Sequence, residues 1–193
     1  MNNGCKRFSC DVDGILNDYP ICWLRYLSKK CGTLYETVSL AKKKEIDYRR
    51  FKDDYRNSSF KANLPVWRKN RDVINMLVAK GLDSVIVTSR PILNNKYVGL
   101  YDRTFLWLKN NNISFSDFEY KDPDAVFLDK YPQIRFHIDD DPAYALKVAK
   151  RGIKVYLLKN DNWDFSCLNG KDESKMIYII NDLEDILKYE SIL

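Results

Sequence analysis

Short apolar runs separated by helix-length spacers constrain this 193-residue chain more than any other feature. Strand-like runs fall at 7–10, 84–87, 135–138 and 154–158, with weaker ones at 115–120 and 176–180. Apolar residues recur at helical spacing over 70–80, 101–109 and 142–151, and Gly81 and Gly152 stand where the first and last of these should stop. A further helix is expected over 122–130, and a short one over 181–189 capped by Asn181 or Asp182. Strands alternating with helices cannot pair through hairpins, so the pattern predicts an α/β fold, a parallel sheet covered on both faces.

Residues 18–64 break the rhythm. They carry helical patterns such as 19–30, a charged stretch at 41–56 and no convincing strand, punctuated by Tyr35, Tyr48, Phe51, Tyr55 and Phe60. The chain therefore divides into a core of 1–17 and 65–193 and a small helical cap at 18–64, inserted after the first strand. The cap aromatics suit a small core of their own, or a surface on which a base could stack. The run Lys42-Lys43-Lys44 reads as a solvated face.

Composition narrows the partners. With 45% hydrophobic and 31% charged residues the chain is expected to be globular and soluble. No window approaches the ~20 apolar residues of a membrane span, and Met1 to Arg7 leaves no room for a signal peptide before the first strand, so a cytoplasmic protein is expected. The five cysteines, Cys5, Cys10, Cys22, Cys31 and Cys167, form no CxxC pair and suit reduced thiols. A net charge of +5, thinly spread, favours a small phosphorylated partner over a nucleic-acid groove. The single histidine, His137, lies within a strand pattern and is expected to be structural.

Polar residues mark three strand ends. Asp11 and Asp13 are two positions apart, so their side chains leave the strand on one side, and Gly14 permits a sharp turn immediately after them. An ordinary Asp-Gly turn would look the same in isolation. Thr88 and Ser89 end the second run, and Asp139 and Asp140 the third. A parallel sheet brings these ends to one edge, where α/β proteins bind ligands. Carboxylates from two strand ends make a hard oxygen site suited to Mg²⁺. A hydroxyl beside backbone amides seats phosphate oxygens, and a nearby lysine or arginine balances the charge.

Asp11-Val12-Asp13-Gly14, Thr88-Ser89, a following lysine and Ile138-Asp139-Asp140 together resemble the four motifs of haloacid-dehalogenase-like (HAD) phosphatases. The resemblance spans residues 7–158 and implies a Rossmann-like core, with a cap at the place where this one is inserted. It implies that Asp11 is the nucleophile and that Asp13 is general acid, then base. Mg²⁺ would be held by Asp11, the main-chain carbonyl of Asp13, and the pair Asp139 and Asp140. Thr88 and the amide of Ser89 would hold the phosphoryl oxygens. Lys121 or Lys130 supplies the lysine; Lys121, leaving a strand on the active edge, is preferred. Arg103 is a second candidate phosphate contact, at a place where some nucleotide phosphatases of this group carry a basic residue.

The motif spacing around Asp11–Tyr19 and the pair Lys96-Tyr97 is similar to 5′(3′)-deoxyribonucleotidases, which implies a nucleotide or similar metabolite as substrate, with a sugar phosphate as the other small-molecule alternative. The helix carrying Tyr101 and Arg103, together with the Ile138-Asp139-Asp140 strand end, resembles the 3′-phosphatase domain of polynucleotide kinases, which acts on nucleic-acid ends. A binding protein on an inactive HAD scaffold is a third alternative; loss of the nucleophile would mark it, and Asp11 and Asp13 are both present. A monomer or small homo-oligomer without membrane partners is expected.

Overall fold

The computed structural model describes residues 6–190. Six strands, β1 (Arg7–Asp11), β2 (Asp83–Thr88), β3 (Asp117–Tyr120), β4 (Ile134–Asp139), β5 (Lys154–Leu158) and β6 (Ile177–Ile180), form one sheet in the order β3-β2-β1-β4-β5-β6. Every neighbouring pair is parallel. The chain steps outward from β1 to β3, then crosses back to β4 on the other side of β1. Connections leave in opposite directions there, so a crevice opens beyond the carboxyl ends of β1 and β4.

Period-two alternation explains the two layers. Phe8, Cys10, Ile86 and Tyr156 pack on one face against α5 (Arg68–Ala79), α6 (Leu100–Asn110) and α9 (Glu184–Tyr189), whose Leu77, Trp107 and Ile186 are buried there. Val85, Val87, Val155 and Leu157 pack on the other against α7 (Phe127–Lys130) and α8 (Pro142–Lys150), through Phe127, Leu128, Ala145 and Val148. Each such apolar side chain contributes roughly 1.5–3 kcal/mol relative to exposure.

Residues 21–62 carry four helices, α1 (Ile21–Cys31), α2 (Val38–Lys44), α3 (Tyr48–Asn57) and α4 (Ser59–Ala62). Trp23, Leu27, Tyr35, Phe51 and Tyr55 form a separate apolar cluster among them. Tyr48 meets Trp23 edge-on at 5.5 Å between ring centroids, so most of the aromatics noted in the sequence are used in packing. Lys42, Lys43 and Lys44 are exposed. The segment is tied to the rest of the chain where Lys61 reaches Asp13 and Lys96 reaches Asp53, and next to it Trp107 Nε1 donates to the Leu64 carbonyl at 2.7 Å.

Two elements differ from the sequence expectation. The helix expected over 122–130 survives only as α7, because the Asp122 carboxylate accepts N–H groups of Asp124, Val126 and Phe127 and Ala125 takes a positive φ of 56°. The helix expected over 181–189 begins at Glu184, whose N–H donates to the Asp182 side chain at 2.9 Å. No helix among the described residues is long and apolar enough to cross a membrane. Cys10, Cys22, Cys31 and Cys167 are free thiols; Cys5 and the remainder of the segment before Lys6 lie outside the described residues.

Candidate active site

β1 ends at Asp11, which is 3% exposed, and β4 ends at Asp139, which is fully buried. Lys121 leaves the end of β3, anchored where its N–H donates to the Thr88 carbonyl at 2.8 Å. Its ammonium reaches between the two acids, 2.9 Å from Asp11 Oδ2 and 2.8 Å from Asp139 Oδ2. Lys130 instead pairs with Glu119 on the exposed side of the molecule.

Asp140 completes an acidic trio. Carboxylate oxygens of Asp11, Asp139 and Asp140 all lie within 4.8 Å of one another, and all three residues are buried. Gly14 permits this approach: a Cβ there would stand 2.1 Å from Asp140 Oδ2, and its φ of +89° also disfavours any side chain. Trp163 Nε1 donates to Asp140 at 2.7 Å, and Asn160 Nδ2 at 3.2 Å. Those two residues come from a segment that reads in the sequence only as a polar loop.

The electrostatics fit a cation. Burial pushes the Asp140 carboxyl well above the ordinary range, and the charges of Asp139 and Asp11 push it further. Burial also raises Asp11; Lys121 opposes this, and Asp139 adds to it. Asp139 behaves oppositely. Burial alone would raise it, but Lys121 and the His137 hydrogen bond outweigh burial and hold it low. Three acids share one ammonium, leaving a deficit of positive charge that a divalent ion matches. Among the described residues the cluster offers carboxylate oxygens alone, a donor set that suits Mg²⁺.

His137 acts on this arrangement through Asp139. Its two ring nitrogens lie 2.8 Å from Ser9 Oγ and 2.7 Å from Asp139 Oδ2, so it fixes the carboxylate's rotation. The sequence offers one hint, since His137 and Asp139 are two apart on one strand and share a face.

Asp13 has different surroundings from Asp11. Lys61 of α4 donates to both its carboxylate oxygens, at 2.7 and 2.9 Å. Arg90 clamps the same group through Nε at 3.1 Å and Nη2 at 2.6 Å, and Asn17 adds a bond at 2.9 Å. Burial would raise this carboxyl, but the Arg90 and Lys61 charges overcome it and hold it well below the ordinary range. Lys61 itself is 4% exposed and is lowered to about 8, by burial first and then by Arg90.

Thr88 is buried at the end of β2, its Oγ1 accepting the Arg90 N–H at 3.2 Å, and Ser89 lines the cavity beside Asp13. Arg103 is not brought to the acids. It donates to the Val98 carbonyl at 2.9 Å, and Arg90 is the arginine that reaches the site. Arg90 is visible in Thr88-Ser89-Arg90-Pro91, next to a motif residue, whereas Lys61 and Trp163 carry no local signal.

No family model matches the chain, and no curated protein matches its sequence. Solved structures do share its fold. A Thermotoga maritima protein provisionally named a β-phosphoglucomutase aligns over 96% of this chain and 98% of its own, with a TM-score of 0.62 at 15% identity. An L-2-haloacid dehalogenase aligns over 96% and 99%, with a TM-score of 0.57 at 11% identity. The D,D-heptose 1,7-bisphosphate phosphatase of B. bronchiseptica, solved with magnesium and phosphate, aligns over 95% and 99%, with a TM-score of 0.53 at 12% identity. The chain thus has the α/β Rossmann-like fold of HAD-fold proteins, a fold that carries both phosphatases and dehalogenases.

Proposed function

We propose that this protein is a phosphomonoester hydrolase that works through an aspartyl-phosphate on Asp11, with Mg²⁺ held by Asp11, Asp139, Asp140 and the main-chain carbonyl of Asp13. The observation that carries this reading is the buried trio of carboxylates within 4.8 Å, with the single ammonium of Lys121 set against it. Displacing halide from carbon calls for a carboxylate nucleophile but not for a divalent cation. Attack on an anionic phosphorus centre calls for both. The trio therefore favours phosphoryl chemistry over dehalogenation.

In the proposed sequence an Asp11 oxygen attacks phosphorus in line and the ester oxygen departs, taking a proton from Asp13. Water then attacks the acyl phosphate, Asp13 accepts its proton, and inorganic phosphate leaves as Asp11 is regenerated. The ion, when bound, neutralises charge so that carboxylate and ester can approach. Lys121 holds Asp11 in place, and Thr88 with the Ser89 amide seats the phosphoryl oxygens. Asp13, clamped by Lys61 and Arg90, takes up a proton from solvent as those cations turn to the anionic substrate, and this is the proton it gives to the departing ester oxygen.

The substrate is proposed to be a small phosphorylated metabolite, nucleotides included. The cations Lys52, Arg56, Lys61 and Arg90 lining the cavity beside Asp13 support an anionic ester of this kind. Phosphate release from p-nitrophenyl phosphate, deoxynucleotides and a 3′-phosphorylated oligonucleotide tests both statements. Activity on the small esters should exceed that on the oligonucleotide, should vanish with EDTA, and should fall by at least about 10³-fold in Asp11→Asn. Halide release from a 2-haloacid in EDTA, without phosphatase activity, would overturn the proposal.

A further inference from the structure

The cavity between the four-helix segment and the sheet carries more positive charge than one phosphoryl group requires. Lys52, Arg56, Lys61 and Arg90 line its inner part, where Asp13 is the one acid among the described residues. Lys52 and Arg56 also line an adjoining outer cavity of about 500 Å³, where Lys42, Arg49 and Lys96 join them and Asp53 is the one acid described. Asp13 is already engaged by Lys61 and Arg90, and Asp53 by Lys96, Tyr97 and Arg56.

Lys42 and Arg49 are exposed, whereas Lys52 is half-buried and shared by both cavities. Among the described residues no carboxylate lies within ion-pair distance of it; its ammonium donates to Tyr19 Oη at 3.3 Å. It lies over three rings, 4.3 Å from the centroid of Trp23, 4.8 Å from Tyr19 and 5.3 Å from Tyr55. Burial, then the like charges of Lys61 and Arg56, hold its pKa well below the ordinary lysine value. Ring faces compensate an ammonium only partly, so a half-buried lysine facing two like charges has room for an anion.

We propose that the substrate's leaving group carries a second anionic group, a phosphoryl or a carboxylate, held by Lys52 and Arg56 while the scissile phosphoryl lies against Asp11. This inference rests on the hydrolase reading above and names the class of substrate for that site. The outer cavity then takes the body of the leaving group, and its surplus charge draws in esters that carry a second anionic group.

Alkanediol monophosphates, their bisphosphates and their ω-carboxylate analogues of equal length test it. The wild-type kcat/KM should be about tenfold to a hundredfold higher for the two series with a second anionic group than for the alkanediol monophosphates. Lys52→Gln should collapse that ratio, and Lys52→Arg should restore part of it. Calorimetry on Asp11→Asn with Mg²⁺ supplies a readout without turnover: the bisphosphate should bind at least about tenfold tighter than the monophosphate, an advantage lost on adding Lys52→Gln. Hydrolysis of every ester at one rate, or an equal loss on all of them in Lys52→Gln, overturns the inference and leaves the hydrolase reading intact. No turnover of any ester counts against the hydrolase reading, and equal affinities in the calorimetry then overturn the inference as well.

Discussion

Asp11, Asp13, Asp139 and Asp140 are one residue type in four electrostatic settings. Asp140 and Asp11 are raised by burial among like charges, whereas Asp139 and Asp13 are held low by cations that outweigh burial. The pH consequences run in opposite directions. An unfolded aspartate titrates near about 3.9, so the folded chain binds protons at Asp140 and Asp11 more tightly than the unfolded chain does, and their contribution to stability falls as pH rises above that value. The contributions of Asp139 and Asp13 are present above it and are lost as pH falls towards their lowered values. In EDTA, Asp140→Asn should therefore melt at a higher temperature than the wild type, by a margin that widens from pH 5 to pH 7. Added Mg²⁺ should stabilise the wild type more than the variant. Thermal unfolding across that range checks both, and a variant that melts lower at pH 7 in EDTA would refute the charge-deficit account of the site.

At the scale of elements, strand ends deliver the acids and irregular segments hold them. The alternation that buries Val85 and Val87 on one face and Ile86 on the other aims β2 at the crevice where Thr88 ends it. Two short 3₁₀ turns, Phe165–Leu168 and Asp172–Met176, follow Trp163 in the loop after β5. That loop returns to the sheet edge and places the Trp163 indole 2.7 Å from Asp140. Titration with Mg²⁺ should change the intrinsic fluorescence, and Trp163→Phe should remove most of that change while weakening the apparent Mg²⁺ affinity a fewfold. An undiminished signal in the variant would place the responding tryptophan elsewhere.

Across the whole molecule, the helical segment 21–62 is tied to the sheet over the catalytic edge through Lys61, whose side chain crosses to Asp13. The pair is buried with Arg90, so removing one partner leaves the others poorly compensated. Lys61→Gln should speed amide hydrogen exchange in α3 and α4 while leaving β1 and β4 protected. Uniformly faster exchange would mean that Lys61 supports the fold as a whole and not this contact.

Local patterning was enough to read the parallel sheet, since period-two runs alternating with helical ones have few other ways to bury both faces. The motif acids at 11, 13, 139 and 140 were legible for the same reason, because strand ends of a parallel sheet share an edge whatever the loops do. The identity of the neighbours was not. Lys61 reaches Asp13 across 48 positions and Arg90 across 77, and neither was a candidate, whereas Lys121, which reaches Asp11 across 110, was one. Trp163 gave no sign of its place beside Asp140, and nothing in the sequence tells that Arg103 donates to the Val98 carbonyl. Periodicity and strand-end chemistry are local and so are written in the sequence. Charge pairing and desolvation depend on which distant segments pack against one another, and only the tertiary structure decides that.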